Sequence, residues 1–364
     1  DVYKRQVQAL AELAAAKRRC FEGTVFAVTG STGKTSTKDI LGAILSASGP
    51  VFTSAGNRNT EIGMPLEILA APLDAKSWVL ELAMRAEGEI AELTRICDPD
   101  AGVVVNIGPV HLETLGSIDR VAAAKAELLS GLRAGCVGVT PAGDSLLEPY
   151  LRRDLQHVTF GPAGDCRLAG AEGRELEIEL RGALHRVTVD FDQPHNRLNL
   201  LAAAAAALSC GFDLPSRLEV QFSALRGQRE LLNGDLVVIN DCYNANPMSM
   251  RAALADLAEE AGRRGGRKIA VLGDMLELGT EAEQMHRELG RAAAASGVDL
   301  LVSVGPLARL AADEFQGESL SVESAHEVAG IIAPRMRAAD TLLIKGSRGI
   351  GLEAVLTGLR EGED

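Results

Sequence analysis

Residues 25–36 read Val25-Phe26-Ala27-Val28-Thr29-Gly30-Ser31-Thr32-Gly33-Lys34-Thr35-Ser36. Val25 to Val28 has the apolar, β-branched character of a buried strand, and Lys34 to Ser46 reads as a helix. The turn between them carries two glycines, a lysine and a hydroxyl. In a strand–turn–helix context these residue types point to a phosphate-binding loop. Glycines let backbone N–H groups close around phosphate oxygens, and the helix N-terminus adds its own donors and dipole. Gly30, Ser31, Thr32, Gly33, Lys34, Thr35 and Ser36 are therefore expected to hold a nucleotide. Lys34 would reach its outer phosphates, and the Thr35 hydroxyl would ligate Mg²⁺. The longer glycine-rich form of such loops has glycine at position 28, where this chain has Val28. The loop is the shorter form, Thr29 to Thr35, and ATP is the expected ligand.

Outward from this loop, short β-branched runs alternate with longer helical patterns, as in βαβ units with a parallel sheet. Expected strands are Val25–Val28, Trp78–Leu82, Val103–Asn106, Val137–Thr140 and His157–Phe160. Glu175–Leu180 and Leu184–Phe191 alternate apolar with polar residues around Arg181-Gly182-Ala183, which predicts an antiparallel hairpin in a small side sheet. A helix is expected from about Asn196 to Cys210, closed by Gly211. A second α/β series follows, with strands at Leu236–Asn240, Lys268–Leu272, Leu300–Val304 and Thr341–Ile344. The boundary between the series falls near Phe222–Arg226.

The chain has 364 residues, 46% of them apolar and 24% charged, with a net charge of −13. That composition suits a globular protein with substantial cores. An acidic balance without any Lys/Arg-rich run argues against nucleic acid as the main partner. The six cysteines form no C-x-x-C pair; they read as reduced thiols of a cytoplasmic protein rather than a disulfide or metal framework. No apolar run is long enough to span a membrane. Residues 1–20 read as the end of a helix (Val7, Leu10, Leu13, Ala14).

Thr29 to Ser36 followed by Lys38 resembles the Mur ligases of peptidoglycan synthesis and their folylpolyglutamate synthase relatives. Gly56-Asn57-Arg58-Asn59-Thr60-Glu61-Ile62-Gly63-Met64-Pro65-Leu66 is similar to the MurF type within that family. So are Asp241-Cys242-Tyr243-Asn244-Ala245-Asn246-Pro247, Lys268 to Met275, and Lys345-Gly346-Ser347-Arg348. The resemblance runs from about residue 10 to the end. It implies an α/β protein: a central P-loop ATPase domain (21–224) with a mainly parallel sheet, followed by a Rossmann-like domain (225–364). Residues 1–20 would be the remnant of a preceding domain that holds the uridine nucleotide. The implied reaction joins D-Ala-D-Ala to UDP-N-acetylmuramoyl-tripeptide, using ATP and Mg²⁺, in a cytoplasmic monomer. A peptide carboxylate would take the γ-phosphate of ATP, and the acceptor amine would then displace phosphate. A glutamate-adding relative and a non-catalytic ATP-binding module are the alternatives; Asn244-Ala245-Asn246-Pro247 argues against the first.

The resemblance also implies roles. Glu81, at the tip of its strand, and His111 would bind metal. Lys125, in Ala122-Ala123-Ala124-Lys125, would be carbamylated by CO₂ and so become a third metal ligand. Asn106 and Gly108 would border the nucleotide, Asn196 would face adenine or cap its helix, and Asp241 would contact the ribose. Lys34, Lys125, His111 and Arg229 would carry the chemistry. Arg226 and Arg229 are both placed to clamp phosphate, with Arg229 favoured. Asn57, Asn59, Tyr243, Asn244, Asn246, Asp274, Lys345, Ser347 and Arg348 would line the acceptor side, and Cys242 is given no chemistry.

Overall fold

A computed structural model describes residues 2–232 and 235–361. The chain divides into two compact units, Asp1–Gly108 with Ser117–Ser223, and Pro109–Gly116 with Ala224–Asp364. Among the described residues no helix is long and apolar enough to cross a membrane.

The first unit is built on one ten-stranded sheet among the described residues. Its strands are β1 (Thr24–Thr29), β2 (Val51–Thr53), β3 (Ser77–Glu81), β4 (Ala101–Val104), β5 (Val137–Pro141), β6 (Gln156–Phe160), β7 (Cys166–Glu172), β8 (Glu175–Leu180), β9 (Ala183–Val189) and β10 (Arg217–Leu218). They lie in the order β10-β9-β8-β7-β6-β5-β4-β1-β3-β2. The seven strands β7 to β2 along this order pair in parallel, and parallel sheets require burial of both faces. That requirement explains why β1 reads as an unbroken apolar run: Val25, Phe26, Ala27 and Val28 have no exposed surface. The helix Lys34–Ser46 covers it with Ile40, Leu41, Ile44 and Leu45.

The antiparallel strands β7, β8 and β9 continue the same sheet, joined to β6 by the single bridge Phe160–Cys166. The β8–β9 turn is Arg181-Gly182, with φ of 49° and 91°. Two left-handed residues give the twist that a two-residue hairpin needs, and glycine takes one of them at no steric cost. The helix predicted over 196–210 runs from Pro194 to Ser209. Gly211, at φ 83°, ends it: its N–H bonds to Leu208 O and that of Phe212 to Ala207 O, a Schellman closure. Ala202 to Ala207 are wholly buried, so the alanine run lets this helix lie close against the sheet.

The second unit holds a six-stranded sheet among the described residues, in the order β11-β12-β16-β13-β14-β15. These are β11 (Gln228–Leu232), β12 (Leu236–Asn240), β13 (Lys268–Gly273), β14 (Leu300–Val304), β15 (Glu318–Val322) and β16 (Thr341–Lys345). Only β11 is antiparallel. Two apolar clusters cover the two faces, with Val238, Val271 and Ile344 on one and Ile239, Ala270 and Leu343 on the other.

A buried histidine ties the end of β13 to the helix Ala282–Ala295. His286 Nδ1 lies 2.6 Å from Ala282 O, and Nε2 accepts the Met275 N–H at 2.9 Å. A carbonyl only accepts and an N–H only donates, so the ring is a neutral tautomer with its proton on Nδ1. Burial lowers its pKa below the ordinary histidine value. Between the two values the unfolded chain binds a proton that the fold does not. This contribution is therefore complete above the unfolded histidine pKa and is lost as pH falls toward the depressed one. His286→Leu should cost about 1–3 kcal/mol at neutral pH by orphaning the Met275 N–H. Urea titrations at neutral and mildly acidic pH check this: the stability gap between His286→Leu and the parent should shrink in acid.

Candidate active site

The phosphate loop leaves the C-terminal end of β1, with β3 and β4 on either side. In open α/β sheets this edge is where ligands bind. Gly33 precedes the helix Lys34–Ser46 in the left-handed region, at φ 76°. A Cβ there would lie 2.6 Å from Asn199 Oδ1, so only glycine suits both the backbone and the space. The loop is braced from β4's end. Asn106 Oδ1 accepts the Thr32 N–H at 2.9 Å, Asn106 Nδ2 donates to Thr32 O, and Asn106 O accepts the Ser31 N–H. Ser31 Oγ donates to Gly108 O and accepts the Gly108 N–H. Asn106 and Gly108, expected to border the nucleotide, thus shape the loop itself.

Two lysines converge on one carbonyl. Lys34 Nζ donates to Gly30 O at 2.9 Å, and Lys125 Nζ donates to the same oxygen at 3.0 Å. Lys125, on the helix Ile118–Gly131, is only 2% exposed. Burial pushes its pKa well below the ordinary lysine value, and the charge of Lys34 pushes it the same way. The alanines around Lys125 in the sequence read as a crowded setting, and the depth of burial agrees.

Thr35 Oγ1 donates to Glu81 Oε2 at 2.7 Å. The carboxylate is fixed by Asn59 Nδ2 on its other oxygen, at 2.8 Å, and Ser54 Oγ accepts the backbone N–H of Glu81. Asn59, expected on the acceptor side, is thus a support for Glu81, while Asn57 in the same loop is exposed. Ser54 gave no signal in sequence; it acts because β2 and β3 are neighbours. Lys38 is buried, donating to Ser54 O at 2.7 Å.

Asn196 is not the N-cap of its helix. Gln193 takes that place ahead of Pro194, whose fixed φ and missing N–H suit the first helical turn. Asn196 is buried instead in a chain of amides, from Gln193 through Asn196 to Asn199, at 3.3 Å each. Asn199, packed where a Gly33 Cβ would sit, connects that chain to the phosphate loop.

In the second unit, Lys345 is buried and donates to Asp241 Oδ2 at 2.7 Å and to Asn244 O at 2.9 Å. The Asp241 carboxylate is therefore anchored at the end of β12. Arg226 lies 4.2 Å from the Tyr243 ring centre and Arg348 5.8 Å, so two guanidiniums share one aromatic face region. Asn246 caps the helix Pro247–Arg264 in a reciprocal capping box with Ser249. Cys242 Sγ donates to Asn240 Oδ1, and burial pushes its thiol up to about 11, which removes nucleophilic character at neutral pH. Asp274 Oδ1 accepts the Ala308 N–H at 2.6 Å, so its carboxylate starts a helix, and Ser347 Oγ accepts the Leu276 N–H.

Arg229, the favoured phosphate clamp, is paired with acidic neighbours. It lies in β11 and is held by Asp256 at 2.6 Å and Glu260 at 3.2 Å, both on the helix Pro247–Arg264. Two carboxylates already neutralise it, and Asp256 is 5% exposed. Of the two arginines weighed from sequence, Arg226 lies against the Tyr243 ring instead. His111 packs in the second unit with residues 109–116, where its Nδ1 lies 2.6 Å from Glu277 Oε2. Nothing in the sequence singled out Glu277.

Comparison with known proteins finds relatives over both units. Residues 28–207 match the Mur ligase middle domain, and residues 226–348 match the Mur ligase, glutamate ligase domain. The UDP-N-acetylmuramoyl-tripeptide–D-alanyl-D-alanine ligase of Bacillus subtilis is 34% identical over 97% of this chain and 79% of its own length. The crystal structure of MurF from Acinetobacter baumannii superposes with a TM-score of 0.90, at 30% identity over 98% of this chain and 80% of that one. That of the Thermotoga maritima MurF ligase in complex with ADP gives 0.88, at 31% identity over 98% and 83%. The chain is a member of the Mur ligase family, an ATP-dependent ligase of the MurF type.

Proposed function

We propose that this chain joins D-Ala-D-Ala to UDP-N-acetylmuramoyl-tripeptide and converts ATP to ADP and phosphate. The observation that carries the reading is the convergence of Lys34 and Lys125 on the Gly30 carbonyl at the phosphate loop. A carboxylate and a triphosphate repel one another; the Lys34 cation, and metal that a carbamylated Lys125 would help to hold, lower that repulsion. The peptide carboxylate oxygen attacks the γ-phosphorus, the bond to the β-bridging oxygen breaks, and ADP leaves. The D-Ala-D-Ala amine then attacks the acyl carbon, loses a proton, and phosphate departs with the C–O bond electrons.

Mg²⁺ fits the residues present. Thr35 Oγ1 and Glu81 Oε2 are hard oxygen donors already 2.7 Å apart. A carbamylated Lys125 would add further oxygen donors for an ion that neutralises phosphate charge, and His111 is assigned a metal-ligand role of its own. Carbamylation needs a neutral amine: its lone pair bonds to the carbon of CO₂ and one N–H proton leaves to solvent. The lowered pKa of Lys125 supports that chemistry. Arg226 takes the phosphate-clamping role. Asp241, anchored by Lys345, takes the ribose, and Tyr243, Asn244 and Arg348 the acceptor side. We assign residues 21–224 to ATP binding and 225–364 to the acceptor, in a monomer acting in the cytoplasm.

Phosphate release in the presence of UDP-N-acetylmuramoyl-tripeptide tests the reading. D-Ala-D-Ala should stimulate release at least 100-fold over L-glutamate, a margin that buried polar recognition supplies. Stimulation by glutamate instead would favour a folylpolyglutamate-like activity, and no stimulation by either would leave a nucleotide-binding module.

A further inference from the structure

His111 and Glu277 come from loops 166 residues apart in sequence, yet they meet at 2.6 Å within the second unit. Each is a non-glycine residue in the left-handed region, with φ of 53° and 63°. Such a conformation costs roughly 1–2 kcal/mol per residue and persists where surrounding contacts over-determine it. Those contacts are present. The Glu113 N–H donates to Glu277 O at 3.3 Å, and a Cβ on Gly279 would come 3.2 Å from the Glu113 backbone. The loop that presents Glu277 is itself fixed at each step before it. Met275 N–H is held by His286, Leu276 N–H by Ser347, and Asp274 O accepts the Ser347 N–H. A surface ion pair formed by chance would not need two strained residues and interlocked backbones.

We propose that Glu277 is the positioning residue for His111. An ionised carboxylate only accepts hydrogen bonds, so the hydrogen between the two belongs to Nδ1. That fixes Nε2 as the basic nitrogen and sets the plane of the ring. Ligating histidines gain both orientation and basicity from such a carboxylate. The inference rests on the reading of His111 as a ligand of the Mg²⁺ that accompanies ATP. The strain at both residues is the structural cost of holding the ring in one orientation.

Histidine-selective ¹⁵N labelling tests the tautomer directly, with His111→Ala identifying the signal among six histidines. The parent should show Nδ1 protonated and Nε2 basic. Glu277→Ala should shift the ring to the opposite or an averaged tautomer, and Glu277→Gln, whose amide oxygen still accepts, should restore the parent pattern. Mn²⁺ binding in the presence of ATP, read by electron paramagnetic resonance, should weaken about 10–100-fold in Glu277→Ala. An unchanged tautomer in Glu277→Ala overturns the proposal. If His111→Ala loses Mn²⁺ affinity while Glu277→Ala does not, the positioning role fails and the ligand reading stands. If His111→Ala binds Mn²⁺ as the parent does, the ligand reading fails and the proposal falls with it.

Discussion

Lys125→Ala abolishes ligation while the protein still binds ATP, with kcat expected to fall about 10³-fold or more, the scale of losing a charged group that acts in the transition state. The side chain is 2% exposed and donates to the phosphate-loop carbonyl of Gly30. A buried amine is costly to the fold. Its pKa in the fold lies well below the unfolded value, so between the two the unfolded chain takes up a proton that the fold does not. Stability from this group is complete only above the unfolded lysine pKa and drops as pH falls. Lys125→Met, which keeps the volume and removes the amine, should therefore raise the melting temperature while abolishing activity. Chemical rescue separates the two possible forms. If Lys125 acts as a carbamate, short carboxylic acids such as acetate restore turnover to Lys125→Ala. Rescue by small amines but not by carboxylates would show that the lysine acts as a cation. Full activity of Lys125→Ala would remove it from the mechanism.

Gly33→Ala should lower ATP affinity on the order of 100-fold, because it disturbs the backbone donors that a helix N-terminus offers to phosphate. Alanine at φ 76° is strained by roughly 1 kcal/mol or more before any contact is counted. Its Cβ would also sit 2.6 Å from Asn199 Oδ1 and 3.3 Å from Val105 Cγ1. Asn199 is buried and bonded to Asn196, so relief must come from the loop rather than the helix. Calorimetric titration with a non-hydrolysable ATP analogue reads the affinity, and thermal melting reads the strain. The double variant Gly33→Ala, Asn199→Ala should recover part of the affinity if the clash is the cause. Unchanged affinity in Gly33→Ala would show that the loop's shape does not depend on this position.

Much of the fold was legible because buried parallel strands leave a strong mark. β1, β12, β13, β14 and β16 are apolar runs bounded by turn residues, and each lies where the sequence predicts it. The strands that went unseen are short or at an edge. β2 has three half-buried residues, β10 is two residues long with one exposed and one buried, and β15 mixes half-buried with exposed positions. Edge strands lack a buried second face, so their pattern resembles that of a loop. β7 was missed for another reason: it carries a register shift near Gly170, which breaks the period of two.

The sequence by itself determined the phosphate loop, the two α/β series and the residue types for phosphate activation, because each rests on spacing within a few residues. Lys34 and Thr35 were found that way, while the role of Glu81 came with the family resemblance. What those residues touch was decided only by tertiary structure. Arg229 and Arg226 are three positions apart and alike in sequence; the helix Pro247–Arg264 places two carboxylates on one and not the other. Asn59 supports Glu81, and Asn199 fills the space at Gly33, through contacts 22 and 166 residues apart. Glu277 reaches His111 only because two strained loops interlock. The phosphate loop remains the firmest feature, and the fold adds its partners: a second lysine on the same carbonyl, too deeply buried to be a solvated surface charge.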